Sequence, residues 1–368
     1  MTASATIRVP LGASGYDVVV GDGLLADLPG LLERHCHAAR YAIITDTTVA
    51  PLLGERMLAN LSHVAPCTLC TFPAGEWNKT REAWIDLSDK LLAAGVGRDG
   101  AIVALGGGVV GDLAGFVAAT YMRGIPYVQV PTTVLAMVDS SVGGKTGVDT
   151  RLGKNLIGAF HQPRGVFADV ATLQTLPKPQ VAAGLAEALK HGAIADEAYF
   201  HSIVAQRERL LARDAGALHD VIRRSIEIKV AVVQDDEREQ GKRAILNFGH
   251  TVGHAVEAAA GYQLLHGEAV AVGMVVEAEL GKAIGITDPG AVHALSEAIR
   301  AFGLPATLPA GLSGAQLTQG MASDKKARSG SVRFALLQRL GAMAKSGSAW
   351  TRTIPEDTLA QVLGSLSS

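Results

Sequence analysis

Three histidines in one stretch of the chain are candidate ligands of a divalent metal ion. The stretch runs from Leu246 to Gly273 and contains His250, His254 and His266. His250 and His254 are four residues apart in a helix-forming context, so they share one helix face. His266 follows a Gly-Tyr break, and a second helix starting there could bring a third imidazole to the same point. The alternative is three histidines in core contacts, because the zinc motif H-E-x-x-H is absent.

A glycine-rich run in the first half is a candidate nucleotide site. The run Gly106–Asp112, G-G-G-V-V-G-D, follows the apolar segment Ala101–Leu105 and opens a predicted helix. Glycines with G-x-G-x-x-G spacing let backbone N–H groups approach a pyrophosphate at a helix N-terminus. No acidic residue ends the next predicted strand, Tyr127–Val130, so Asp46 could bind the ribose instead. The alternative is a turn that only permits tight strand–helix packing.

Two groups of charged residues favour an anionic substrate. Glu187 and Lys190 share one face of the apolar predicted helix Gln180–Ile194, and a buried carboxylate there requires a lysine or a metal ion. The alternative is a surface ion pair. Further polar residues precede the histidines: Lys229, Glu239, Arg243 and Asn247. The basic ones suit a carboxylate or phosphate ligand, and the alternative is that all four are ordinary charged or polar positions of helices.

The run Gly144-Lys145-Thr146 is similar to the end of a phosphate-binding P-loop. Asp139 occupies the position where that motif requires its first glycine, so a P-loop is excluded. The polar run 139–145 is predicted to be flexible and, with Lys154 and Asn155, to form a phosphate pocket.

Composition narrows the class of protein. The chain has 368 residues, of which 48% are hydrophobic and 18% charged, with a net charge of −2. This composition predicts a folded protein of about two domains and argues against nucleic-acid binding. No signal peptide is evident, and the apolar run Ala101–Met122 reads as strand, turn and helix rather than as a membrane span. Cys67 and Cys70 are predicted to be strand residues in a reducing cytoplasm.

The pattern of elements changes near residue 178. Before it, strand-like and helix-like segments alternate, which predicts an α/β domain, residues 1–178, with a parallel Rossmann-like sheet. After it, Ala- and Leu-rich segments predict a mostly α-helical domain, residues 179–368. The predicted helices are Trp77–Ala94, Gln180–Ile194, Leu218–Gln234, Thr251–Ala260, Ala269–Ala283 and Pro289–Phe302. The segment Ser331–Leu337 is a candidate for a short strand or an extended arm.

Four runs of the sequence resemble those of 3-dehydroquinate synthases, which are sugar-phosphate cyclases. The runs are Gly106–Arg123, Val130–Gly147, Gly153–Gly158 and Leu246–Gly273, in the family's order and spacing. The resemblance implies NAD and a divalent metal, zinc or alternatively cobalt, with the active site in the cleft between the two domains. It further implies that Glu187, His250 and His266 hold the metal, and that His254 faces the substrate instead.

The resemblance also implies the other contacts. NAD contacts are expected from Asp46, Glu76, Lys79, Gly107, Gly108, Val109, Val110, Gly111, Asp112, Thr132, Thr133, Lys145, Lys154, Thr172, Leu173, Gln174 and Thr175. Catalytic or substrate contacts are expected from Arg123, Asp139, Lys145, Asn155, Lys190, Lys229, Glu239, Arg243, Asn247, His254 and Lys325.

The activity implied is conversion of 3-deoxy-D-arabino-heptulosonate 7-phosphate into 3-dehydroquinate and phosphate, in the shikimate pathway of aromatic amino acid biosynthesis. The expected steps are transient oxidation by NAD, β-elimination of phosphate, re-reduction, ring opening and an intramolecular aldol closure. The resemblance further implies a homodimer, while composition and cysteine usage predict a cytoplasmic protein that binds neither nucleic acid nor membranes. The alternatives are another sugar-phosphate cyclase, a metal-dependent polyol dehydrogenase and a non-catalytic binding protein.

Overall fold

The protein consists of two compact units, each of which is described by itself. The computed structural model describes the backbone of residues 4–327 and 331–366, and the side chains of all of these except residues 322–327. The first unit contains Met1–Leu176 and Leu218–Val230, and the second contains Pro177–Ala217 and Ala231–Ser368. The helix Ala215–Asp235 therefore contributes residues to both units.

A mainly parallel sheet forms the centre of the first unit. The strands are β1 (Ala5–Val9), β2 (Tyr16–Gly21), β3 (Arg40–Asp46), β4 (Cys67–Phe72), β5 (Gly100–Gly106), β6 (Tyr127–Pro131), β7 (Lys145–Thr150), β8 (Gly153–Phe160) and β9 (Gly165–Asp169). The seven-stranded sheet has the order β1-β2-β9-β6-β5-β3-β4. Only the pairing of β1 with β2 is antiparallel among the described strands of this sheet. β7 and β8 form a separate antiparallel hairpin.

Helices cover both faces of this sheet. They are α1 (Leu28–His35), α2 (Glu55–Ser62), α3 (Arg81–Ala93) and α4 (Gly108–Thr120). Leu87 of α3 and Leu113 of α4 belong to one buried apolar cluster. Leu28 of α1 and Leu61 of α2 belong to another. Because both faces are covered, central strands such as β5 and β9 are buried along their whole length.

The second unit is mostly helical. Its helices, with the shared α8, are α5 (Lys178–Ala195), α6 (Glu197–Ala205), α7 (Arg207–Leu211), α8 (Ala215–Asp235), α9 (His250–Ala259), α10 (His266–Ala283), α11 (Pro289–Ala301), α12 (Gly314–Ala327) and α13 (Glu356–Ser365). Two short strands, β10 (Leu337–Arg339) and β11 (Ala342–Met343), pair antiparallel. The predicted α/β and helical parts are thus confirmed.

Two predictions about local structure are wrong. The helix predicted to begin at Trp77 begins at Arg81, because Thr80 caps it by accepting a hydrogen bond from the Ala83 N–H group at 3.2 Å. The helical spacing of Trp77–Ala94 also predicts that Leu92 faces inward with Leu87 and Leu91, but Leu92 is 55% exposed. The polar run 139–145 begins in the helical turn Ala136–Ser140 and ends at Lys145, the first residue of β7. No described helix is long and apolar enough to cross a membrane, and the run Ala101–Met122 is strand, turn and helix as predicted.

Candidate active site

Three helices of the second unit, α5, α9 and α10, approach each other closely at glycines. A Cβ atom added at Gly267 of α10 would lie 1.8 Å from the carbonyl oxygen of Ala183 in α5. A Cβ atom added at Gly273 of α10 would lie 1.9 Å from the carbonyl oxygen of Gly249, the residue before α9. Only glycine permits these approaches, and they bring together side chains from all three helices.

Glu187, His250 and His266 form a group with the geometry of a metal site. Each offers one ligand atom, and the three atoms lie within 4.8 Å of one another. The Nε2 atoms of His250 and His266 lie 3.5 and 3.6 Å from Oε1 of Glu187. Glu187 is fully buried and also forms an ion pair with Lys190, one helical turn along α5. Two imidazoles and a carboxylate are a donor set that suits zinc or cobalt.

The second nitrogen of each imidazole contacts an oxygen atom. His250 Nδ1 lies 3.3 Å from the carbonyl oxygen of Phe248, and His266 Nδ1 lies 3.3 Å from Oε2 of the buried Glu257. An N–H group at Nδ1 that donates to these oxygens leaves the Nε2 lone pair facing Glu187. The residues therefore fit a divalent metal on their own geometry.

The two imidazoles have opposite pKa shifts. Burial, reinforced by the Lys190 charge, holds the pKa of His250 well below its usual value. Burial also disfavours the charged form of His266, but hydrogen bonds with Glu187 and Glu257 outweigh it and raise the pKa of His266 to about 10. The carboxylates of Glu187 and Glu257 therefore favour a positive charge at this point, which a bound cation would supply when the imidazoles are neutral.

His254 lies beside the group but is more exposed than its members. Its ring centroid is 5.4 Å from that of His250 and 6.1 Å from that of His266. With Glu257 and His266 it forms a second set of ligand atoms within 4.8 Å. The pairing of His250 with His254 that spacing suggested is geometrically close, yet the buried carboxylate Glu187 faces His250 and His266.

The loop before α9 holds the polar residues predicted to contact substrate. Asn247 donates a hydrogen bond from Nδ2 to Oε1 of Glu239 at 2.6 Å. Arg243 is buried, and its backbone N–H group donates to Oδ2 of Asp236 at 3.0 Å. The Arg243 guanidinium also donates to the carbonyl oxygen of Glu237. These contacts fix a basic side chain and an amide within the same unit as the metal group.

In the first unit, the glycine-rich turn has the geometry of an anion site. Gly107 precedes α4 and has no side chain that could accept hydrogen bonds from the first-turn N–H groups. A Cβ atom at Gly106 would lie 2.4 Å from the Val110 side chain, and one at Gly108 would lie 3.0 Å from Oγ of Ser140. The turn therefore needs glycine, and the start of α4 suits a pyrophosphate.

Most of the predicted NAD residues of this unit follow parallel strands at one edge of the sheet. The register aligns Gly106 with Pro131, which places the glycine-rich turn beside Thr132 and Thr133. The turn 172–175 follows β9, the neighbour of β6, and Asp46 ends β3, the neighbour of β5. Carboxyl ends of parallel strands are where such sheets bind ligands.

The buried Lys79 connects a cluster of polar side chains in the same unit. Its Nζ atom lies 2.7 Å from Glu76, 3.3 Å from Asp112 and 3.5 Å from Asp149, and it donates to Oδ1 of Asn155 at 2.8 Å. Burial disfavours the charged form, but the carboxylates outweigh it and raise the pKa of Lys79. A second lysine, Lys154, is at a longer distance, with its Nζ atom 3.8 Å from Oε1 of Glu76. The cluster joins four predicted NAD residues, Glu76, Lys79, Asp112 and Lys154, and one predicted substrate residue, Asn155.

The remaining predicted residues differ in placement. Lys229 is buried, and its Nζ atom lies 2.7 Å from Oδ1 of Asp139. Lys145 is an exposed residue at the start of β7. Arg123 follows the C-terminal end of α4, which runs back to the amino edge of the sheet, so the structure does not place it with the carboxyl-edge residues. The side chain of Lys325 lies outside the described residues.

Sequence reasoning missed two carboxylates that contact predicted residues. Glu257 contacts His266, and Asp149 accepts a hydrogen bond from the Asn155 N–H group at 2.8 Å. Asn155 has a positive φ of 55°, which the Asp149 contact helps to hold. Glu257 lies one turn after His254 among alanine and valine residues of α9, and a carboxylate in such apolar surroundings is a signal that could have identified it.

These features are typical of enzymes that use a dinucleotide and a divalent metal, and comparisons with known proteins specify the family. Residues 69–183 match the 3-dehydroquinate synthase N-terminal family, and residues 184–327 match the 3-dehydroquinate synthase C-terminal family. The 3-dehydroquinate synthase of Symbiobacterium thermophilum is 50% identical over 334 residues, 90% of this chain and 93% of that protein. The chain belongs to the 3-dehydroquinate synthase family.

Two solved structures share the fold. A 2-deoxy-scyllo-inosose synthase complexed with carbaglucose-6-phosphate, NAD+ and Co2+ is 27% identical, with a TM-score of 0.91, covering 98% of this chain and 99% of that chain. The 2-epi-5-epi-valiolone synthase from Streptomyces hygroscopicus subsp. jinggangensis 5008, with NAD+ and Zn2+ bound, is 31% identical, with a TM-score of 0.87, covering 95% and 96%. The chain is thus an enzyme of the sugar-phosphate cyclase type, and the predicted fold class is confirmed.

Proposed function

We propose that the protein converts 3-deoxy-D-arabino-heptulosonate 7-phosphate into 3-dehydroquinate and phosphate, as a carbon–oxygen lyase. The observation that carries this proposal is the buried Glu187 with two imidazole Nε2 atoms at 3.5 and 3.6 Å, in a chain of this family. Another sugar-phosphate cyclase and a polyol dehydrogenase are the activities that the experiment must distinguish.

Each cofactor has a group of residues that fits it. When bound, NAD supplies a hydride acceptor and donor, and the divalent metal supplies a Lewis acid that lowers the pKa of a substrate hydroxyl. Glu187, His250 and His266 would hold the metal. Gly107, Gly108 and the carboxyl-edge residues would hold the nucleotide.

The other residues bind and orient an anionic sugar phosphate. The buried charges of Lys190, Lys229 and Arg243 offset the carboxylate and phosphate charges of the substrate. His254 is exposed beside the metal group, so its ring can exchange a proton with the substrate or with water. The remaining members of the proposed substrate set are Arg123, Asp139, Lys145, Asn155, Glu239, Asn247 and Lys325.

A phosphate-release assay with and without NAD and a chelator tests this function. The expected result is release of phosphate and formation of 3-dehydroquinate, lost on chelation, with no net accumulation of NADH. Steady growth of NADH absorbance with a simple alcohol would instead identify a polyol dehydrogenase. A different carbocyclic product from another heptulose phosphate would identify another cyclase.

We further propose a cytoplasmic homodimer. The three cysteines are free thiols, which suits a reducing compartment. Light scattering in solution tests the dimer, for which a mass of twice 38.1 kDa is expected.

A further inference from the structure

Glu277, in the middle of α10, is a buried carboxyl group that belongs to neither the metal group nor the substrate set. Glu277 is fully buried, with 0% of its surface exposed. A carboxyl group in such a place costs free energy unless its oxygens accept hydrogen bonds. The partners of those oxygens therefore indicate what Glu277 does.

Both oxygens of Glu277 accept hydrogen bonds from the start of α9. The Gly249 N–H group donates to Oε2 at 2.8 Å, and the Val252 N–H group donates to Oε1 at 3.1 Å. The Thr251 N–H group is a third donor. Gly249, the residue at the N-cap position, has no side chain to accept these bonds. Glu277 thus caps α9 from the neighbouring helix, in the place of a local Ser, Thr or Asp.

A second buried carboxyl group joins the same two helices at their other end. Glu257, near the end of α9, contacts His266 at the start of α10, while Glu277 on α10 contacts the start of α9. His266 and Glu277 are eleven residues apart, about three helical turns, so they lie on the same face of α10. The antiparallel pair is therefore connected at both ends by a carboxyl group.

Burial raises the pKa of Glu277 to about 8, and the N–H groups of Gly249, Val252 and Thr251 oppose this rise. Because the two oxygens face different N–H donors, the group acts as an acceptor whichever protonation state it holds.

We propose that Glu277 is a positioning residue for the metal group, which fixes the start of α9 and with it His250 and His254. His250 is the first residue of α9 and follows Gly249 directly. Its Nε2 atom faces Glu187 only if the start of α9 keeps its place against α10. This inference rests on the proposed function, because it assigns Glu277 to the metal group of that reaction.

The test compares Glu277→Gln with Glu279→Gln in the full chain. A glutamine keeps the size of the side chain but has one acceptor oxygen, so at least one N–H group of α9 loses its partner. Glu279 lies on the same helix in an exposed ion pair with Lys282, at 3.0 Å, and is the matched control. Co2+ is the probe, because its absorption spectrum reports ligand geometry as well as affinity.

For Glu277→Gln we expect faster amide exchange in residues 249–252 of the metal-free protein. We also expect an altered Co2+ spectrum and roughly 10-fold weaker Co2+ binding, the loss typical of an outer partner of a ligand. The rate of phosphate release should fall while the KM for NAD stays unchanged. Glu279→Gln should match the parent protein in every measurement.

Three outcomes separate the possible failures. If Glu277→Gln exchanges faster at 249–252 but binds Co2+ with the parent spectrum and affinity, Glu277 is only a helix cap and the inference is wrong. If the parent protein itself neither binds Co2+ nor releases phosphate, the proposed function fails instead. If Glu277→Gln does not fold, Glu277→Asp draws both acceptor oxygens back by one methylene from the N–H groups at the start of α9, and an unchanged Co2+ spectrum in that variant overturns the inference.

Discussion

At the scale of single residues, the assignment of the metal ligands predicts different losses at two neighbouring histidines. His266→Ala removes a ligand, so metal and activity should disappear together, with metal affinity reduced by more than about 100-fold. His254→Ala should keep the metal but lose about 100-fold in rate, because an acid–base group contributes about that much. Metal analysis and phosphate release on both variants check this. A metal-free His254→Ala protein would show that the ligand assignment is wrong.

Asp149 predicts a pH effect on stability. Burial, opposed by the Lys79 charge, raises the pKa of Asp149 to about 6 from 3.8. The folded state therefore binds more protons than the unfolded state between about pH 4 and pH 6, and stability falls as pH rises through that range. Asp149→Asn cannot ionise, so its Tm relative to the parent protein should rise from pH 4 to pH 7.

The control for this experiment is Asp86→Asn. Asp86 forms an exposed ion pair with Lys90 at 2.7 Å on α3. Its Tm difference from the parent protein should vary less with pH than that of Asp149→Asn. A Tm difference for Asp149→Asn that stays constant, or falls, between pH 4 and pH 7 would contradict the prediction.

At the scale of elements, the close approach of α10 to the start of α9 depends on Gly273. A methyl group at this position would lie 1.9 Å from the carbonyl oxygen of Gly249. Gly273→Ala should therefore force the helices apart, lower the free energy of unfolding by about 1–3 kcal/mol and weaken metal binding. Denaturant unfolding and Co2+ titration measure the two effects.

The matched substitution is Gly364→Ala in α13. No atom lies within 4 Å of a Cβ added at Gly364. Removing a helix glycine where there is space should raise the free energy of unfolding by about 0.4–1 kcal/mol. If Gly273→Ala is also stabilising, the two helices do not approach as closely as described.

At the scale of the whole molecule, each cofactor should protect a different unit. NAD should slow amide exchange in residues 100–112 of the first unit, and Co2+ should slow it in residues 246–273 of the second. A ligand at 100 times its Kd adds about 2.7 kcal/mol to the stability of the state that binds it. Hydrogen-exchange mass spectrometry with each ligand alone checks this. Protection of residues 246–273 rather than 100–112 by NAD would show that the nucleotide site is assigned to the wrong unit.

The local elements of the site follow from the sequence alone. Apolar runs predict β5 and β6, and helical spacing predicts α5, α9 and α10, because the periods of 2 and 3.6 residues are local properties of the chain. The glycines of Gly106–Gly108 and their place between a strand and a helix predict the nucleotide turn. The family motifs add Glu187 as a ligand, which the spacing of the histidines does not show.

Only the tertiary structure decides which side chains meet. The insertion of β9 between β2 and β6 brings the turn 172–175 beside Thr132 and Thr133, although β9 is the last strand of the sheet along the chain. The antiparallel packing of α9 and α10 brings Glu257 to His266 and Glu277 to Gly249. These contacts join residues far apart in sequence, so they depend on how close two backbones come, and no local pattern of the chain specifies that distance.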